Sequence, residues 1–252
     1  MRIVVQTLVR DNGKWLRNFV TMVAAIENAR PDIKLDVHVW ENDSKDDSRD
    51  FLEKNKSVTL HGGPQPDPDR PRTVRLAGYR NGLKEAVNIR GADYVLMIDS
   101  GIWFGKKALE HMIETLEKHK DIGMVAPHAI VKDHAPCTFY YDTFATILMG
   151  GEKAEPFTNL FPCEAVKSKK HARHCHYAKG DDPLLRWPNR YFDVMSTFGG
   201  FVLIRPDVFE GAKWSVNNER ECEHWAFCKD IKDAGHRIVI DRNAKVLWSE
   251  WS

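Results

Sequence analysis

Apolar residues in the first hundred positions switch between two periods, which predicts strands and helices in turn. Ile3–Val9 is a run of β-branched and apolar residues and predicts a buried strand. Trp15–Ala29 places Trp15, Phe19, Met22, Val23 and Ile26 on one face of an amphipathic helix. Leu35–Trp40 predicts a second strand. A polar, acidic loop follows, in which Ser48 suits the N-cap of a short helix carrying Phe51 and Leu52. Val58–His61 predicts a third strand. The proline-rich stretch Gly62–Pro71 cannot be regular, because proline removes a donor and fixes the backbone. Helix resumes over Val74–Ile89, and Tyr94–Ile98 is a strongly apolar strand.

The second half reads differently. Leu109–His119 predicts a helix and Ile122–Ala126 a short strand, while Cys137–Asn189 reads as irregular. Phe198–Ile204 returns to strand, Glu221–Ala234 is a helix ending at Gly235, and Ile238–Ile240 and Lys245–Trp248 are closing strands. The alternation of strand and helix predicts an α/β domain: a mostly parallel, Rossmann-like sheet flanked by helices. Ligands of such sheets bind beyond the carboxyl ends of the strands. Gln6, Glu41 and Asp99 follow or end three of these strands and should converge on one site.

Composition narrows the function. The chain has 252 residues, 42% hydrophobic and 29% charged, with a formal net charge of +1. That balance suits an ordinary folded domain and argues against a dedicated nucleic-acid binder. The opening MRIVVQTLV has no basic n-region or small-residue cleavage site, and no run reaches the length of a membrane span. Five cysteines without CxxC spacing predict free thiols. A cytoplasmic enzyme without a transmembrane segment is the expectation.

Two segments carry candidate chemistry. The loop ENDSKDDS, Glu41–Ser48, lies between a strand and a helix, where acceptor side chains can hold a nucleoside and a helix N-terminus favours phosphate. An acidic surface turn is the plain alternative. Arg75 and Arg80 stand about a turn and a half apart on the helix before Asp99, a carboxylate delivered to the end of a buried strand. Guanidinium groups match diphosphate, and the carboxylate suits a divalent cation bridging it. The plain reading pairs Arg80 with Glu85 on the same helix. The cluster His171, His174, Cys175 and His176 with Cys163 matches no standard zinc spacing, and nearby Lys167, Lys169, Lys170 and Arg173 would repel a cation. A basic loop over an acceptor site fits that segment better. Trp187 and Trp214 are candidates for stacking on sugars, against core packing.

These segments resemble those of glycosyltransferase-A enzymes. ENDSKDDS is similar to their acidic loop at the nucleoside, and GYRNGLKEA with ADYVLMIDSG to their Arg-Asn, strand, Asp-x-Asp unit. TFGGFVLIRPDVFEGAKW and ECEHWAFCKDIKDAGHRIVID resemble the glycine-rich strand and acidic helix of fungal mannosyltransferase families that use GDP-mannose. The resemblance implies a single glycosyltransferase-A domain, with residues 1–101 as the nucleotide-binding half and 102–252 as the acceptor half. It implies a UDP- or GDP-sugar donor, a glycan acceptor and a Mn²⁺ or Mg²⁺ ion held by Asp99. The implied donor-binding set is Gln6, Thr7, Glu41, Asn42, Ser44, Arg75, Arg80, Asn81, Asp99, Ser100, Gly101, Gly199 and Gly200. Two departures stand out: Gly101 replaces the second acid of the metal motif, and no histidine occurs near Trp248, so either Asp99 holds the ion with waters and phosphate or Arg and Lys side chains stand in for it. Glu221 and Glu223 both begin the late helix, but at i and i+2 only one can face a cleft. Glu223 is the expected catalytic residue, as general base or as stabiliser of a sugar cation. A catalytically silent sugar- or nucleotide-binding module and a sugar nucleotidyltransferase are the rival readings.

Overall fold

The structure is a computed structural model that describes residues 1–62, 69–134, 137–140, 142, 144–151, 189–216 and 221–248. In chain order its first half contains β1 (Arg2–Val9), α1 (Gly13–Ala29), β2 (Lys34–Glu41), α2 (Ser48–Lys54), β3 (Val58–Gly62), α3 (Arg72–Ala86) and β4 (Tyr94–Asp99). The second half contains β5 (Ile102–Trp103), α4 (Lys106–Lys118), β6 (Ile122–His134), β7 (Cys137–Tyr140), β8 (Ile147–Leu148), β9 (Tyr191–Ser196), β10 (Phe201–Ile204), α5 (Pro206–Gly211), α6 (Glu223–Asp233) and β11 (Arg237–Trp248).

One sheet runs β3-β2-β1-β4-β10-β6-β11-β9-β8, with β5 pairing on β11 and β7 on β6. The first four strands are all parallel, as right-handed crossovers through helices require. The second half is mixed. β10 runs antiparallel between β4 and β6, and β11 lies parallel to β6 but antiparallel to β9. The chain reverses direction on either side of β1, so a crevice opens at the carboxyl ends of β1 and β4.

The core follows from the patterning. Every β4 residue from Tyr94 to Ile98 is buried, as expected of a strand covered on both faces. Trp15 and Phe19 of α1 stack at 4.9 Å, and Phe104 connects Phe19 with Phe201 beneath the sheet. On the other face, α3 lies so close to β2 that a Cβ at Gly82 would sit 2.9 Å from the Trp40 ring.

Some boundaries move, each for a physical reason. Ser48 begins α2 but does not cap it; its hydroxyl instead accepts the Asn12 amide at 3.1 Å, lacing the first two loops together. The closing strands are one strand, β11, with a register shift between Asp241 and Lys245. The charged run there masks its continuity, yet Asp241 is fully buried on Arg190 (2.9 Å) and Thr115 (2.7 Å). β10 begins at Phe201 rather than Phe198, because Gly199 and Gly200 are both left-handed (φ 64° and 66°) and form a turn. The segment expected to be irregular contains β7 and β8, and β9 follows it. The His- and Lys-rich stretch 163–182, with Trp187, lies outside the described residues.

Candidate active site

Opposed residues in neighbouring strands share a face, so the register places Leu8, Trp40 and Asp99 on the side covered by α3. From that helix Arg80, only 3% exposed, reaches down to the sheet edge. Its Nη2 donates to Asp99 Oδ1 at 2.8 Å, and its Nε donates to Glu223 Oε1 at 3.4 Å. The guanidinium lies 4.9 Å over the Phe198 ring. It pairs with neither Glu85 nor solvent. Removing such a cation would strand two carboxylates, one almost fully buried, a change that typically costs about 3–5 kcal/mol.

Glu223 opens α6 and is 4% exposed, whereas Glu221 lies outside the helix and is only partly buried. Phe227 and Ile231 of the same helix face the core, and Phe227 stacks on Trp214 at 4.1 Å. Trp214 is thus a core residue, 1% exposed, and presents no ring to a ligand. Its indole N–H donates to His224 Nδ1 at 3.4 Å. That bond places the imidazole proton on Nε2, which lies 3.4 Å from Glu223 Oε1. Burial, with the nearby Arg80 charge, holds the His224 pKa far below its ordinary value, so the ring stays neutral.

A third carboxylate joins these two, and nothing in the sequence pattern marks it. Asp142 accepts the Gly199 amide on Oδ2 (2.7 Å) and the Ala145 amide on Oδ1 (3.2 Å). The Asp99 amide in turn donates to the Gly200 carbonyl at 2.8 Å. The left-handed Gly199–Gly200 turn therefore holds two acids with adjacent backbone groups. Burial pushes the Asp142 carboxyl up to about 7, and the charges of Asp99 and Glu223 add to that. Its signal in the sequence was one Asp inside an irregular stretch, and only the fold of that stretch against β9 brings it here.

The remaining expected residues divide into two groups. Glu41 is fully buried and holds the loop, taking the Ser44 amide at 2.7 Å and Arg49 Nη1 at 2.8 Å. The Ser44 hydroxyl accepts the Asp11 amide at 3.0 Å, and Asn42 is buried beside them. The Asn81 amide is committed at both ends to the Trp214 backbone, at 2.7 and 3.1 Å, so it ties α3 to the loop after α5. Ser100 and Gly101 form the turn leaving β4, with Gly101 buried at φ 97°. By contrast, Gln6 and Thr7 are buried with side-chain atoms that have no partner among the described residues. The same holds for Arg75 Nε, Trp40 Nε1, Tyr79 Oη and Thr73 Oγ1; Trp40 shares the α3 side of the sheet with Gln6, and its ring lies 6.2 Å from that of Tyr79 on α3. Unsatisfied buried donors and acceptors are uncommon and mark places where a polar ligand would be welcome.

Among the described residues no three potential ligands gather into a metal site. Asp99 offers one carboxylate, with Arg80 on one oxygen and its side chain 28% exposed. Such a donor set suits a hard, hydrated cation completed by phosphate oxygens, not a protein cage. The two described cysteines with defined surroundings, Cys222 and Cys228, are free and buried. No described helix is long and apolar enough to cross a membrane.

No protein-family model matches the chain, and no curated protein does. Solved structures do. The mannosyltransferase PcManGT from Pyrobaculum calidifontis, in complex with GDP-Man and Mn²⁺, is 12% identical with a TM-score of 0.53; the match covers 98% of this chain and 56% of that one. S. aureus TarS 1–349 in complex with UDP-GlcNAc is 10% identical with a TM-score of 0.57, covering 100% and 59%. GalNAc-T7 with UDP, GalNAc and Mn²⁺ is 10% identical with a TM-score of 0.55, covering 98% and 44%. The chain thus has the glycosyltransferase-A fold and spans roughly half the length of these proteins. They carry both guanosine and uridine nucleotides, so the fold does not single out the fungal GDP-mannose families.

Proposed function

We propose that this chain transfers a sugar from a nucleoside diphosphate sugar to a hydroxyl group of a glycan. The observation that carries the reading is the buried Arg80 held between Asp99 at the end of β4 and Glu223 at the start of α6, at the crevice of a glycosyltransferase-A fold. The unpartnered polar atoms of Gln6, Trp40, Thr73, Arg75 and Tyr79 support donor binding in the first half, residues 1–101. Glu41, Asn42 and Ser44 shape the loop expected beside the donor, with the Ser100–Gly101 turn next to Asp99, while Thr7 faces the opposite side of the sheet from Gln6. Asn81, Gly199 and Gly200 act by positioning other groups. Acceptor binding falls to residues 102–252.

Two acids then divide the chemistry. Glu223 is held in place close to Arg80 and the neutral His224. It is suited to face positive charge developing on the sugar. Asp142, with its pKa near neutral, is the better acceptor of the hydroxyl proton, since a general base works best when its pKa lies near the working pH. A divalent cation would take Asp99 as its protein ligand and would neutralise the leaving diphosphate.

The test is turnover of GDP-mannose and UDP-GlcNAc, read as release of nucleoside diphosphate, with and without Mn²⁺. One donor should turn over, and Glu223→Gln should slow it by about 10²–10⁴-fold while the donor still raises the melting temperature. Arg80→Met should abolish turnover and lower stability by about 3–5 kcal/mol. Binding of a donor without any turnover would favour the silent module. Release of a monophosphate and a sugar phosphate would favour a nucleotidyltransferase.

A further inference from the structure

Three large hydrophobic residues are exposed among the described residues: Met1 at the chain start, Phe144 at 45% and Met149 at 53%. The last two belong to one short segment, and that segment also carries Asp142. A single exposed hydrophobic residue is ordinary; what sets Phe144 apart is a second aromatic ring, that of Trp225, beside it.

Phe144 is fixed. The Asp142 carboxylate takes the Ala145 amide, and the Thr146 hydroxyl donates to the Asp142 carbonyl at 2.6 Å. Thr146 and Thr197 hydroxyls meet at 3.1 Å, and Ser196 Oγ donates to the Ala145 carbonyl at 2.7 Å. The segment is therefore pinned to the strand end and turn beneath it. Across from Phe144 stands Trp225, in the first turn of α6, two residues beyond Glu223. Its indole N–H donates to the Phe144 carbonyl at 3.2 Å. The two ring centroids are 6.2 Å apart and the planes are inclined by 40°. The rings thus form an open corner that is not closed by face-to-face stacking.

We infer that Phe144 and Trp225 form an aromatic subsite that receives a pyranose ring of the acceptor next to the carboxylate cluster, an inference that rests on the transferase reading above. The Phe144 carbonyl that takes the Trp225 indole N–H belongs to the same segment as Asp142, whose carboxylate takes the next amide, that of Ala145, so the corner adjoins that acid. A pyranose offers an apolar C–H face to an aromatic plane and keeps its hydroxyls at the edge, where acids can reach one of them. The Trp225 indole is held by its bond to the Phe144 carbonyl before any ligand arrives, so little of its freedom is lost on binding. The subsite selects for pyranose shape more than for hydroxyl pattern, because its contacts are with C–H groups.

Ligand-observed saturation-transfer NMR with methyl α-mannopyranoside, methyl β-glucopyranoside and methyl β-galactopyranoside tests this, alongside turnover of GDP-mannose and UDP-GlcNAc in water without acceptor. The expected result is binding of at least one glycoside through its ring C–H protons. Phe144→Ala and Trp225→Ala should weaken it by about tenfold or more, and Phe144→Tyr and Trp225→Phe should retain it; donor turnover in water should not change in any variant. Glycoside binding that is absent from the unmodified protein, or equal in the alanine variants, overturns the subsite. So does binding of an apolar dye that is lost with Phe144→Ala when no glycoside binds, which would mark a protein-docking face. Glycoside binding that depends on both rings, with no donor turned over, leaves the subsite standing and removes the transferase reading alone.

Discussion

Asp142 is the carboxylate of the cleft whose titration can be followed. Its carboxyl lies near 7 in the folded protein against an ordinary 3.8. Between those values the folded state keeps a proton that the unfolded chain has lost, so stability falls as pH rises from about 4 to about 7 and then levels. Asp142→Asn removes that slope and adds a constant loss, because an amide cannot accept both the Gly199 and the Ala145 N–H. The melting temperature of the variant minus that of the parent should therefore rise between pH 4.5 and pH 8. In turnover with an acceptor, an inflection near pH 7 should vanish in the same variant. A pH difference that stays flat would mean that Asp142 is ionised throughout. Asp99 and Glu223 are legible in the sequence because each stands at one end of a periodic segment. Asp142 follows no period, and only the fold of residues 142–148 against β9 reveals it.

At the scale of elements, the strands and helices of the first half were legible because each obeys one period over a full length. β1, α1, β2 and β4 differ from their expected ranges by only a few residues. The second half was less so, because its strands are antiparallel, short or interrupted by charge. β9 shows why: Tyr191–Ser196 mixes Asp193 into an aromatic run, and that acid is matched by Arg237 at 2.7 Å across the pair. An isolated strand cannot show its partner. The donor side has one element end with no tolerance. Gly62, last residue of β3, has φ 142°, and a Cβ there would lie 2.1 Å from the Glu41 carbonyl oxygen. Gly62→Ala should displace the end of β2 and cost about 2–4 kcal/mol. It should also weaken nucleotide affinity in calorimetry, since Glu41 organises the loop beside it. Normal stability in that variant would show that the β2–β3 edge adapts.

At the scale of the whole molecule, the two halves of the sheet are joined through one antiparallel pairing, β4 with β10, over Val95–Ile98 and Phe201–Ile204. The Asp99 amide bonded to the Gly200 carbonyl is the last rung of that seam, and it lies at the acids themselves. Any excursion that parts the halves must break this rung. Its deuterium uptake is therefore a clock for the opening of the cleft. With the protein alone, the Asp99 amide should exchange faster than those of Met97 and Val95, which point to β10 deeper in the seam; a bound donor that spans both halves should slow it to match them. An Asp99 amide as protected as Met97 before any ligand is added would mean that the crevice is closed at rest.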